Sequence, residues 1–208
     1  MTSLAVVDHL VYATDDLEAS VAELSAWLGV ASVPGGRHIG MGTRNELLSL
    51  GNGSYLEIIG PDLDQPAPGQ SRPFGLDDLD RPRLVTWAAR TADLAAATAA
   101  ARAVGHDPGD GRGMQRARPD GVVLSWTLTM TTADGVLPFL IDWGATPHPS
   151  VTAPVGVELL VLELTDPDAD HVQRVLDAWG TPGVTVTAGA PASVRAVLRG
   201  PGGTLVLA

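Results

Sequence analysis

One pattern constrains the fold more than any other: a strand, a helix closed by glycine, then three further strands, written about three times along 208 residues. In the first copy Ala5–Ala13 is rich in β-branched and aromatic residues and reads as a strand. Thr14-Asp15-Asp16 then caps a helix whose apolar residues Leu17, Val21, Leu24 and Leu28 fall at helical spacing. Gly29 closes it, and strands are expected near 31–34, at Glu46–Leu50 and at Ser54–Gly60, the last two joined through the hairpin dipeptide Asn52-Gly53. The second copy runs from the strand Leu84–Arg90 through an alanine-rich helix opening at Thr91-Ala92-Asp93. Its later strands lie around 113–117, at Gly121–Thr131 and at Val136–Trp143, with Ala133-Asp134-Gly135 as the turn. The third begins with Val157–Leu164, starts its helix at Asp166-Pro167-Asp168 and ends with strands at 184–187, 193–199 and 204–207. Gly29, Gly105 and Gly180 close the three helices at spacings of 76 and 75 residues, the even punctuation of an internal repeat.

Proline-, glycine- and aspartate-rich stretches at 61–82 and 147–154 read as connectors. The expected fold is therefore α+β, with βαβββ modules at 5–60 and 83–143 making one domain over 1–150. A third, degenerate module at 155–208 packs on it. Two such modules side by side form a curved mixed sheet around a cavity, the natural place for a ligand.

Composition removes several chemistries. The chain has no cysteine, so disulfides, thiolate nucleophiles and zinc–thiolate sites are excluded. It has no lysine either, all 13 basic residues being arginine, which removes Schiff-base catalysis. A formal charge of −11 repels phosphate backbones, so no nucleic-acid partner is expected. No apolar run reaches membrane length and the first residues do not read as a secretory signal, so no membrane partner and a cytoplasmic location are expected.

Asp8-His9-Leu10-Val11-Tyr12 followed by Asp15-Asp16-Leu17 resembles the opening of vicinal oxygen chelate proteins, the superfamily of glyoxalase I, extradiol dioxygenases and bleomycin-resistance proteins. The stretch Gly35–Asn45, the strand Tyr55-Leu56-Glu57-Ile58-Ile59 and Pro138–Trp143 with His148-Pro149 resemble its glyoxalase-like branch. The resemblance implies a small-molecule ligand, a homodimer, and a divalent metal (Zn, Ni, Mn or Fe) held by residues of first and last strands. Carried onto this chain, the metal ligands are His9, Glu57 and Asp142. A fourth position falls near Val85 or Thr86, neither of which ligates metals. The implied chemistry is that of an isomerase, lyase or dioxygenase; the alternative is a metal-free protein that binds or sequesters a small molecule.

Residue chemistry supports a site in these places. Glu57 sits among apolar neighbours and shares a strand face with Tyr55 and Ile59, a costly place for a carboxylate without a partner. His9 on the first strand is a metal ligand or an acid–base group. Glu57 and His38 are the candidate catalytic pair. Arg37, Arg44 and Asn45, interspersed with glycines, are candidates for gripping an anionic substrate. Trp87, Trp126 and Trp143 fall on strands of the second module, where they would line a cavity for a flat or apolar ligand.

Overall fold

The computed structural model describes residues 3–130 and 135–208. The expected turn at Ala133-Asp134 and the strand end at Thr131 lie outside them. The first module contains β1 (Val6–Ala13), α1 (Leu17–Leu28), β2 (Val33–His38), β3 (Thr43–Gly51) and β4 (Ser54–Pro61). The second contains β5 (Arg83–Arg90), α2 (Leu94–Ala103), β6 (Gly111–Ala117), β7 (Val123–Thr129) and β8 (Phe139–Asp142). Asp16 and Asp93 cap the two helices by accepting hydrogen bonds from the backbone N–H of Ala19 and Ala96. Gly29 ends α1 in the left-handed region at φ 72°, where L side chains are strained. Pro138, which has no N–H to give a ladder, delays β8 to Phe139 and makes it shorter than the sequence suggests.

The eight strands close into a barrel in the order β1-β4-β3-β2-β6-β7-β8-β5. Each module contributes four neighbouring strands in the same relative order, first-fourth-third-second. The modules meet antiparallel at β1–β5 and at β2–β6. The barrel is complete within one chain, so no second subunit is needed to finish its interior.

Gly35 and Gly36 lie inside β2. Their role is closure. A Cβ on Gly36 would stand 2.1 Å from the Ala117 carbonyl oxygen of β6, and one on Gly35 would stand 2.3 Å from Asn45 Oδ1 and 2.9 Å from Arg116 Nη1. These glycines admit another strand and two polar side chains.

The third module has the expected element order, β9 (Glu158–Asp166), α3 (Ala169–Trp179), β10 (Val184–Ala188), β11 (Ser193–Gly200) and β12 (Gly203–Leu207). Its pairing differs from that of the first two. β9 lies between β10 and β11 in a separate sheet ordered β10-β9-β11-β12, whereas β1 and β5 pair with the last strand of their own modules. One apolar cluster joins Leu10 and Ile58 on the outside of the barrel, Leu28 of α1, Ala97 of α2 and Leu162, Val175 and Trp179 of the third module. A second cluster, including Val11, Tyr55, Ile59, Trp126 and Ile141, lines the barrel interior. Burying each large aliphatic side chain in such clusters contributes roughly 1.5–3 kcal/mol. Among the described residues no helix is long and apolar enough to cross a membrane.

Candidate functional site

A cavity of about 820 Å³, within the usual range for small-molecule sites, opens from the barrel interior toward Phe74 of the connector and Ser193 and Val194 of the third module. Its polar centre comes from consecutive strands of the closed sheet: His9 on β1, Glu57 on β4, Asn45 on β3, His38 on β2 and Arg116 on β6. All five are buried.

A bulge organises β1. Val7 pairs with Ala89 and His9 with the adjacent Ala88, so Asp8 is an extra residue with no partner across β5. Strict alternation would send the side chains of Asp8 and His9 to opposite faces; the bulge re-aims one of them. The two side chains consequently meet, with His9 Nδ1 donating to Asp8 Oδ1 at 2.6 Å. The same irregularity moves Val7 into the outer cluster while Val11 stays inside, although alternation alone would have kept both on the face of His9.

Asp8 is fully buried. Its Oδ2 accepts from His148 Nε2 at 2.8 Å and from Trp143 Nε1 at 3.2 Å. Burial opposes its charge, yet the hydrogen bonds from His148 and His9 and the fields of the two imidazoles hold the carboxyl well below the usual range. Asp8 is thus an ionised acceptor that fixes His9 with Nδ1 protonated and Nε2 turned to the cavity. His148 Nδ1 accepts from the Ser150 backbone N–H, leaving Nε2 as its donor toward Asp8.

Glu57 lies between two imidazoles. His9 Nε2 is 3.6 Å from its Oε2, and His38 Nε2 is 3.6 Å from its Oε1. Asn45 Nδ2 donates to Oε1 at 2.5 Å, and Arg116 Nη1 donates to Asn45 Oδ1 at 3.2 Å. His38 is oriented by Thr43, whose Oγ1 is 3.0 Å from Nδ1. Burial, opposed by Glu57 and helped by Arg116 and His9, pushes its imidazole down to about 4, so it is neutral at ordinary pH. Tyr55 stacks on His9 at 4.7 Å between ring centroids, and burial, with the fields of Asp8 and Glu57, raises its phenol well above the ordinary value.

Four expected site residues lie elsewhere. Asp142 alternates with Ile141 and Trp143, which line the cavity, and so turns away from it; its Oδ1 accepts from the Gly144 N–H at the strand end. Trp87 belongs to the outer cluster and donates to the Val136 carbonyl, because β5 turns odd residues outward here and puts Ala88 inside. Arg37, half-exposed, pairs with the buried Asp62 and the exposed Asp64, and Arg44 pairs with Glu18. Both alternate with inward-facing His38 and Asn45, so the same pleat that brings those two into the barrel carries the arginines out. Trp126 and Trp143 do face the cavity and touch, with centroids 5.1 Å apart. Sequence reasoning passed over Asp8, His148 and Arg116. The signal for Asp8 was present, an acid beside a histidine in an apolar strand, but strand alternation argued against their meeting.

The expected ion finds no donor set. The two imidazoles face different oxygens of one carboxylate and flank it, and among the described residues no group of three or more His, Asp or Glu is arranged to hold a metal. Asn45 already donates to Oε1, and Arg116 donates in turn to Asn45. Asp142, the third implied ligand, is outside the cavity.

A closed βαβββ pair around a polar-centred cavity defines the glyoxalase-like class of vicinal oxygen chelate folds. The profile of a family described as a glyoxalase-like domain matches residues 7–180, and the chain belongs to that family. The fold also resembles a hypothetical protein from Staphylococcus aureus, at 14% identity and TM-score 0.66, covering 91% of this chain and 88% of that one. Methylmalonyl-CoA epimerases from Streptomyces coelicolor (25% identity, TM-score 0.45, 69% of this chain and 100% of that one) and Mycobacterium tuberculosis (22%, 0.45, 73% and 94%) are also similar. Comparison with proteins of curated function finds no match.

Proposed function

We propose that the chain is a small-molecule enzyme that moves a proton on an oxygen-bearing carbon acid, chemistry of the isomerase or lyase kind, with Glu57 and His9 as the acid–base pair. One observation carries this reading: a buried carboxylate inside a ligand-sized cavity, with an imidazole 3.6 Å from each of its oxygens. Glu57 takes a proton from the carbon next to a carbonyl. His9, held by Asp8 and reacting as the imidazolium, gives its Nε2 proton to the substrate oxygen or to the carbon, and Glu57 then passes the abstracted proton back to Nε2 across the 3.6 Å between them, restoring both groups. His38, neutral, holds the far side of the carboxylate without adding a charge. Apolar walls of Trp126, Trp143, Phe139 and Ile141 lower the local dielectric and strengthen each of these interactions.

The test is hydrogen–deuterium exchange in D2O on a panel of small 2-oxo acids, followed by NMR. The protein should accelerate exchange, and Glu57→Gln should lower the rate by about 10²–10⁴-fold, the usual worth of a positioned acid or base. Exchange that survives Glu57→Gln, or none across the panel, removes the reading. Two others remain measurable. A stoichiometric divalent ion in tag-free protein, lost in His9→Ala, would establish a metal-dependent site instead. Ligand binding without exchange would establish a sequestering protein, the reading that the aromatic wall favours.

A further inference from the structure

Two buried N–H groups inside the barrel donate to nothing among the described residues: Arg116 Nε and Trp126 Nε1. They are neighbours. β6 pairs with β7 so that Met114 faces Trp126 and Arg116 faces Leu124, which makes Arg116 and Trp126 diagonal partners on one sheet face. Both line the cavity, and their exposures are 3% and 8%. Arg116 makes a single hydrogen bond among the described residues, through Nη1 to the Asn45 amide. No carboxylate among them pairs with it directly; Glu57 is reached only across Asn45. A guanidinium out of water without an anion against it is costly, and so is an unpaired indole N–H. The fold nevertheless makes room for this side chain, because β2 has glycine where any Cβ would strike it: at Gly35 the nearest atoms include Arg116 Nη1, and at Gly36 they include Arg116 Cγ.

We propose that Arg116 and Trp126 form an anion subsite, and that the ligand of this cavity is a small carboxylic acid carrying an apolar or aromatic group. The carboxylate accepts from Arg116 and from Trp126 Nε1, a planar acceptor against donors fixed by the sheet. The apolar part lies against Trp143, Phe139 and Ile141. The subsite rests on the cavity being the binding site of the proposed enzyme, but it does not need Glu57 to act as a base.

Isothermal titration with phenylacetate and phenylacetamide, alike in size and different in charge, tests it. The wild-type protein should bind the carboxylate about tenfold tighter than the amide, as a charge-assisted pair predicts. Arg116→Met should abolish that preference, and Trp126→Phe, which keeps a ring and removes the N–H, should reduce it. Gly35→Ala should weaken carboxylate binding with the arginine still present, since its methyl would meet Asn45 Oδ1 and Arg116 Nη1. Glu57→Gln, which removes a like charge from the same cavity, should prefer the carboxylate at least as strongly while losing exchange activity, which separates failure of this subsite from failure of the proton-transfer reading. Equal binding of the two probes, no saturable binding of phenylacetate, a preference that survives Arg116→Met, or one that Trp126→Phe leaves undiminished overturns the proposal. Should Arg116→Met not fold, Trp126→Phe and Gly35→Ala decide it.

Discussion

The two halves of the barrel have the same strand order and opposite interiors. Every strand of the first module sends a polar side chain to the centre: His9, His38, Asn45 and Glu57 from β1, β2, β3 and β4. The second module answers with Trp126 from β7 and Phe139 and Ile141 from β8; β6, the strand beside β2, adds a buried charge, Arg116, while Arg83 of β5 reaches the cavity as a partly exposed side chain. Similar architecture has thus been divided between a chemical wall and an apolar wall. The division matters physically. A polar cluster facing water would be screened, whereas the same cluster facing a dry wall is ordered by its own hydrogen bonds and acts at low dielectric. The helices show no such split: α1 and α2 both bury one face in the outer cluster.

If the polar wall is one connected network, its removal should cost far more than trimming the apolar wall. Asp8→Ala leaves the N–H groups of His9, His148 and Trp143 without their acceptor. It is expected to lower stability by about 3–5 kcal/mol in urea unfolding, the range for breaking a buried charged pair. Ile141→Val removes one methylene from the opposite wall and should cost about 0.5–1.5 kcal/mol, with exchange activity little changed. Should the two variants cost the same, the contrast between the walls is wrong. Between these lies Gly29→Ala. The left-handed backbone at φ 72° and a Cβ placed 2.6 Å from the Gly202 backbone nitrogen should loosen the third module from α1. The expected cost is about 1–3 kcal/mol, visible in the same unfolding measurement, with the barrel site intact.

The element order was legible in the sequence because each element carries its own signal: capping aspartates, closing glycines, and strands bounded by turn residues. Glu57 was legible for the same reason, since a carboxylate inside an apolar strand needs an explanation on any register. What misled was anything that depends on how strands meet. The side-chain direction of Asp8 depends on a bulge against β5, nearly 80 residues away, and Asp142 and Trp87 depend on the parity of strands whose starts are set by Pro138 and by the closure of the barrel. Only the closed barrel shows why positions 35 and 36 are glycine: β6 and Arg116 come against them. The third module illustrates the limit: its element order repeats that of the others, and its sheet order does not.

Two histidines extend the comparison of halves to pH. Burial lowers both His38, in the polar wall, and His106, just beyond α2 in the second module. His106 is only half-buried, lies outside the barrel against Trp179 and His171 at centroid distances near 6 Å, and has no acid–base partner in the cavity. An imidazole lowered in the folded state destabilises the protein in acid: above the unfolded value of about 6.5 both states are neutral and nothing changes. As pH falls through that value the unfolded chain takes up the proton first, and stability drops until the folded group titrates, near 4 for His38. Urea unfolding between pH 7.5 and pH 4.5 should therefore show a loss that His38→Gln visibly reduces. His106→Gln should reduce it less, because solvent already reaches that ring, and should leave exchange activity at pH 7 unchanged. An acid limb that His106→Gln flattens more than His38→Gln does would place the dominant titration outside the barrel, and the polar wall would lose its claim to be the more deeply desolvated half.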